Sequence, residues 1–200
     1  YIDTNRLEDD GIIRIIKSLK DYNSLKRLVI SGNRMTDISL KYTLEALEDH
    51  KNLIVLDVGL YKSTSDMEEL PNSFGISSTS FIKQYIEKNN VIEYFSFNDT
   101  NIPSEGISDI YQSFLKNNKI IYLGHVQYGH KISKELYKLF ENKMISNRKL
   151  SGYVIDDVTE LLNNLKINSR SRKVFQGKKN KNPAYGVIID TVKDIDLFLK

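Results

Sequence analysis

The stretch Leu25-Lys26-Arg27-Leu28-Val29-Ile30-Ser31-Gly32-Asn33-Arg34-Met35 sets three apolar residues, Leu25, Leu28 and Ile30, ahead of an Asn and one more apolar side chain. The triad returns 28 residues later as Leu53, Leu56 and Val58, and again as Ile92, Phe95 and Phe97. Ile120 and Leu123 follow 28 residues after that, with His125 in the third place. A fixed period of this length marks stacked structural repeats, each burying its apolar side against the next. Residues two apart within a triad face one way and those between them face the other, which is the geometry of a short strand.

The period continues beyond the strand. Asn5 and Asn33 stand 28 apart, each three residues after an inward Ile, and each is followed by an apolar residue and an acidic turn. An Asn at a fixed inner turn can bond the N–H and C=O groups left unpaired where the strand ends, and leaving such a buried group unmet costs about 1–3 kcal/mol. Thr100 can do part of this work in the fourth copy. Tyr61 and Tyr128 fall at the same place by counting and cannot, so irregular turns are expected there. Between triads the apolar period changes from two to about 3.6. Ile12, Ile13, Ile16 and Leu19 after Gly11 share a helical face, as do Leu40, Leu44 and Leu47, then Ile82, Tyr85 and Ile86, then Ile107, Ile110 and Phe114. Strand and helix in alternation require parallel strands with helices behind them. The expected fold is therefore α/β, a curved right-handed solenoid.

The pattern L-x-x-L-x-[LIV]-x-x-N-x-[IL], written at Leu25 to Met35, resembles leucine-rich-repeat proteins of the ribonuclease-inhibitor-like class over roughly residues 1–145, and the expected solenoid domain is 1–149. The segment Leu56 to Asn72 is similar to a stretch of bacterial leucine-rich-repeat proteins, secreted effectors among them. The resemblance implies a horseshoe whose concave strands hold a partner protein, and it brings no catalytic residue. The chain departs from the pattern in three places: His125 replaces an apolar residue, Ser39 stands where the turn usually has Gly, and the repeat from Leu53 runs 39 residues.

Composition bounds the function. With 40% hydrophobic and 28% charged residues the chain is ordinary for a soluble protein, and no run of about 18 apolar residues offers a membrane span. Zero cysteines remove disulfides, thiol catalysis and cysteine zinc sites together. His50, His125 and His130 lack metal-ligand spacing, and no phosphate-loop, nucleophile-elbow or zincin pattern occurs. The expectation is a non-enzyme without cofactor, metal or small-molecule substrate. The opening residues Tyr1 and Ile2 already read as strand, so a fragment of a longer array is expected, cytoplasmic or, for an effector, secreted into a host cell.

Two segments break the period. Eleven extra residues lie between Tyr61 and Thr79, a polar insertion of the kind that carries binding function or is merely tolerated. Met67, Leu70 and Phe74 are its candidates for pinning the loop to the solenoid. Residues 150–200 form the expected C-terminal cap, with a helical stripe at Val154, Val158, Leu161, Leu162 and Leu165, then a basic loop over 166–182. That loop carries +7 and no acid, so the rest of a chain of formal charge +3 carries −4. Arg170, Arg172, Lys173, Lys178 and Lys179 are its candidate anion-binding residues, for nucleic acid or acidic lipid.

The concave surface consists of the residues alternating with the triads. Arg27, Val29, Asp57, Tyr94, Ser96, Asn98 and Tyr122 are the candidate partner-binding residues, tyrosine being enriched at the energetic centres of protein interfaces. Four strands about 4.8 Å apart and about 10 Å long present only about 200 Å², whereas a stable interface takes about 800 Å² from each side. A partner must therefore also use the rim loops, the insertion or further repeats. Protein recognition is the first reading and anion binding the alternative. A weaker third reading, small-GTPase regulation, follows from horseshoe relatives with that activity and from Arg6 and Arg34, one on each repeat Asn.

Overall fold

A computed structural model describes residues 1–59, 70–124 and 131–152 of the 200-residue chain. Five helices and four strands alternate: α1 (Glu8–Leu19), β1 (Arg27–Val29), α2 (Asp37–Leu47), β2 (Val55–Asp57), α3 (Ser78–Lys88), β3 (Tyr94–Ser96), α4 (Ser104–Phe114), β4 (Tyr122–Gly124) and α5 (Lys134–Leu150). The strands form one parallel sheet in chain order, β1-β2-β3-β4. Leu28, Leu56, Phe95 and Leu123 share one rung of its register. Ahead of β1, Ile2 and Thr4 donate to the carbonyls of Val29 and Ser31, so residues 2–4 add a strand-like edge.

The triads and the helical stripes meet in one continuous apolar core. Phe95 and Phe97 contact each other and Tyr85 sets its ring edge-on to Phe95, at 5.4 and 5.5 Å between centroids. α5 fills the fifth helical place: Phe140 stacks on Tyr111 at 3.9 Å and contacts Phe114 at 5.1 Å. Residues 134–150 thus already cover α4, ahead of the 150–200 segment expected to cap the solenoid. α1 begins at Glu8, a turn before Gly11. Glu8, Asp9 and Asp10 in its first turn suit the positive end of the helix dipole, and Gly11 sits inside the helix against Leu7.

The Asn expectation holds at Asn33 and is corrected one repeat later. The Asn33 amide group donates to the carbonyls of Ile2 and Ile30, while its Oδ1 accepts from the Asn5 N–H at 2.9 Å. In the long repeat the same slot is filled by Asn72, which donates to Val58 O at 2.8 Å and accepts from the Asn33 and Met35 N–H groups at 2.8 and 2.9 Å. The insertion therefore enters ahead of the turn Asn, and Phe74 takes the buried place that Met35 and Ile102 hold in their repeats. Thr100 caps the fourth copy by donating to Phe97 O. Gly59 lies where the neighbouring chain passes closest, since a Cβ there would stand 2.8 Å from the Asn98 nitrogen.

A second row of polar side chains ties the other end of the strands, where helix turns into strand. Asn89 Oδ1 accepts from Val91 and Ile92 N–H, Asn117 Oδ1 accepts from Lys119 and Ile120, and each Asn donates to a carbonyl of the repeat before it. His50 opens this row, with Nε2 at 3.2 Å from Tyr22 O and Nδ1 accepting from Asn52 N–H, so the neutral tautomer with its proton on Nε2 satisfies both bonds. Asn147 closes it by donating to Asn117 O and Ile120 O.

Asn72→Ala takes a partner from two buried N–H groups and from the Val58 and Ile30 carbonyls, and is expected to lower the unfolding free energy by about 3 kcal/mol. Asn52→Ala removes an exposed bond to Asn23 O and is expected to change it by less than about 0.5 kcal/mol. Urea denaturation midpoints measure both.

Candidate functional site: the sheet face and its rim

The seven sheet-face candidates share one surface in the expected columns. Arg27, Val55, Tyr94 and Tyr122 stand in line, as do Val29, Asp57, Ser96 and Gly124, while Asn98 lies just beyond β3. Their exposure departs from expectation. Arg27 is half-buried, and Val29, Asp57, Ser96 and Asn98 are buried; Tyr94 and Tyr122 retain only 4% and 8% of their surface. The two tyrosine rings lie parallel at 4.6 Å. Asp57 Oδ1 accepts from Ser31 Oγ at 2.9 Å and from Gly59 N–H at 3.0 Å, so its carboxylate braces the strand ends of two repeats. Arg27, Tyr94 and Asn98 are likewise engaged within the chain.

Burial pushes the Tyr122 hydroxyl up to about 12, and the nearby Asp57 carboxylate adds to this against an opposing hydrogen bond from Asn98. Arg148 of α5 sits beside it, donating from Nε to Ile121 O at 3.1 Å. Burial lowers the guanidinium's pKa, and the nearby Tyr122 opposes that shift. These side chains form a packed polar and aromatic layer. The sequence marks their common face but carries no sign of their burial.

The rim at the start of the helices is different. Asp9 accepts from Thr36 N–H at 2.8 Å and Thr36 Oγ1 at 2.6 Å, and Thr36 in turn caps α2. One repeat on, Asp37 accepts from Gly75 N–H at 2.7 Å and from the hydroxyls of Ser77 and Ser78. Each carboxylate thus clamps the next helix start. Burial alone raises both carboxyl pKa values; the hydrogen bonds outweigh it and hold both below the usual carboxylate range. Around this clamp stand three large apolar side chains, Ile38, Leu70 and Ile76, with 67%, 58% and 52% of their surface in water. Ile38 and Leu70 line an open groove with Ile13, Arg34 and the acidic first turn of α1. Sequence periodicity marks the inward residues, so Ile38, outside that stripe, passed unnoticed.

Arg6 and Arg34 occupy equivalent places with left-handed backbone, φ 52° and 62°, as does Asn101 at 66°. The left-handed backbone they share belongs to the turn after the ladder residue, and Arg34 pairs with Glu8 at 3.7 Å. Phe74 pins the insertion into the core as expected, Leu70 does not, and Met67 lies outside the described residues. Tyr61, Tyr128, His125, His130 and the anion-binding candidates Arg170, Arg172, Lys173, Lys178 and Lys179 also lie outside them. Among the described residues no three His, Asp or Glu side chains gather as metal ligands, and no helix is long and apolar enough to cross a membrane.

No protein-family model matches the chain, and no curated protein matches it in sequence. Its fold does match solved structures. One, described as leiomodin-1 actin-binding site 2, is 12% identical, with a TM-score of 0.59 over 84% of this chain and 89% of that one. A tropomodulin C-terminal domain from Caenorhabditis elegans is 11% identical, with a TM-score of 0.53 over 96% of both chains. At such identities the likeness concerns the fold alone: this is an alternating strand–helix, leucine-rich-repeat-like domain built on a parallel sheet.

Two outcomes follow. Tyr122→Ala removes a buried, stacked ring and is expected to cost about 3 kcal/mol in urea denaturation. Because the Asp9 and Asp37 pKa values are lowered on folding, the unfolded state binds more protons near pH 4, so their contribution is present above that pH and lost as pH falls through the folded values. The Asp9→Asn, Asp37→Asn double variant is expected to show a shallower loss of stability between about pH 5 and 3.

Proposed function

We propose that the chain is a non-enzymatic protein-recognition module that engages its partner through the rim at the starts of α2 and α3. The observation that carries this reading is the exposure of Ile38, Leu70 and Ile76 around the Asp37 clamp. Three large apolar side chains held in water on a rigid scaffold gain free energy when a partner covers them. The sheet face alone is too small for a stable interface, and its tyrosines already pack within the chain.

A solved structure of similar fold is described as an actin-binding site, which supports the class of function without naming this chain's partner. A targeting role within a secreted bacterial effector is one setting for such a module, and its support is the Leu56 to Asn72 resemblance alone. For the weaker GTPase reading, Arg34 pairs with Glu8 on the rim, and no specific observation favours that reading over protein recognition.

The test is capture of partners by the immobilised chain, compared with an Ile38→Asp, Leu70→Asp variant and with Gln112→Ala on the exposed side of α4. Loss of at least about tenfold in bound partner for the rim variant alone is expected, with the urea midpoint unchanged. Equal capture by rim variant and parent overturns the reading.

A further inference from the structure

The groove at the rim carries charge as well as apolar surface. Ile13, Ile38 and Leu70 line it together with Glu8, Asp9 and Asp10, the acidic first turn of α1, and with Arg34 from the neighbouring repeat. Three carboxylates and one guanidinium give this lining a formal charge of −2. Acids suit the start of a helix, where the dipole amounts to about half a positive charge, so their presence has a local cause. Their summed charge nonetheless exceeds what the helix end balances.

The three acids are committed to different degrees. Asp9 gives its oxygens to Thr36, and those hydrogen bonds hold it ionised. Glu8 meets Arg34 only at 3.7 Å, with 66% of its side chain in water. Asp10 is exposed and bonds none of the described residues. Two loosely held carboxylates therefore stand beside Ile38 and Leu70, which are themselves 67% and 58% exposed. The groove has a volume of about 560 Å³ and is open to solvent, so it admits side chains of a segment laid across it.

We propose that the rim groove takes a basic and apolar peptide segment of a partner protein, with large apolar side chains over Ile38 and Leu70 and flanking Lys or Arg on the acidic first turn of α1. This rests on the rim reading above and adds to it the chemistry of the partner. An acidic segment is disfavoured here because like charges oppose association. An uncharged one covers Glu8 and Asp10 in part without giving them a partner, which costs desolvation. Arg34 does not reverse the preference: with its charge set against Glu8, the remaining Asp9 and Asp10 still present −2.

The test selects short random peptides displayed on phage against the immobilised full chain. Peptides that also bind an Ile38→Ser, Leu70→Ser variant are discarded, since that variant loses the apolar surface without gaining charge. The retained peptides are expected to carry Lys or Arg next to large apolar residues. By fluorescence anisotropy, a synthetic copy is expected to bind at least about fivefold tighter in about 0.05 M than in about 0.5 M salt. Replacing its Lys and Arg by Glu, or making Glu8→Gln and Asp10→Asn in the chain, is expected to weaken it at least about fivefold. The salt series and the altered peptide use the unchanged protein, so they stand whether or not the variants fold well. Retained peptides that are neutral or acidic, or a basic one indifferent to salt and to these replacements, overturn this inference and leave the rim reading in place. Recovery of no peptide that depends on Ile38 and Leu70 overturns the rim reading and this inference with it.

Discussion

Everything in this fold depends on pairing the backbone groups of a turn that must be buried. Strands of three residues cannot run on into solvent before bending, so each repeat turns inside the molecule and leaves N–H and C=O groups without strand partners. Asn33 and Asn72 satisfy these groups for their own repeat and for the one before it. A carboxamide offers both a donor and an acceptor from one short side chain, whereas a hydroxyl such as Thr100 reaches only its own strand end, at Phe97 O. Because the bonds of Asn33 to Ile2 and Asn5 and of Asn72 to Asn33 and Met35 cross a repeat boundary, those repeats are coupled one to the next and their apolar triads are held in register.

The same logic is applied at three levels of the stack. The Asn72 row fixes the strand exit, the His50–Asn89–Asn117–Asn147 row fixes the strand entry, and the Asp9 and Asp37 clamps fix the starts of the next helices. With both strand ends and the helix starts tied to neighbours, eleven extra residues between β2 and Asn72 leave the register of β2 on β3 undisturbed. Loop length costs little as long as its ends are anchored, and Gly59 with Asn72 are those anchors.

The triads, the parallel register and the helix faces were legible in the sequence because burial repeats locally with a period set by the backbone. The position of the insertion was not. Counting forward from Leu56 puts Tyr61 in the Asn slot, while counting back 28 from Thr100 lands on Asn72, whose Phe74 two residues on repeats the Asn33–Met35 pair. The apolar stripe of α1 is legible only after Gly11, while the helix itself begins at Glu8 and holds Gly11 in close contact with Leu7. The burial of Tyr94 and Tyr122 was illegible for a different reason. Alternation says which face a side chain takes, and only the rest of the chain decides whether water reaches that face.

Scaffold demands also decide which residues are left for binding. Asp57, Asp37, Asp9, Asn33 and Asn72 are the polar side chains that first attract a search for chemistry, and every one is bound to backbone within the stack. A carboxylate already accepting two or three hydrogen bonds has little left to offer a ligand, and displacing those bonds would loosen two repeats at once. On the rim, three large apolar side chains, Ile38, Leu70 and Ile76, instead stand outside the core, near the turn that Asp37 clamps. Rigidity there lowers the entropy lost on association, so a surface of modest area on this rim gains more from a partner than the same side chains on a loose loop.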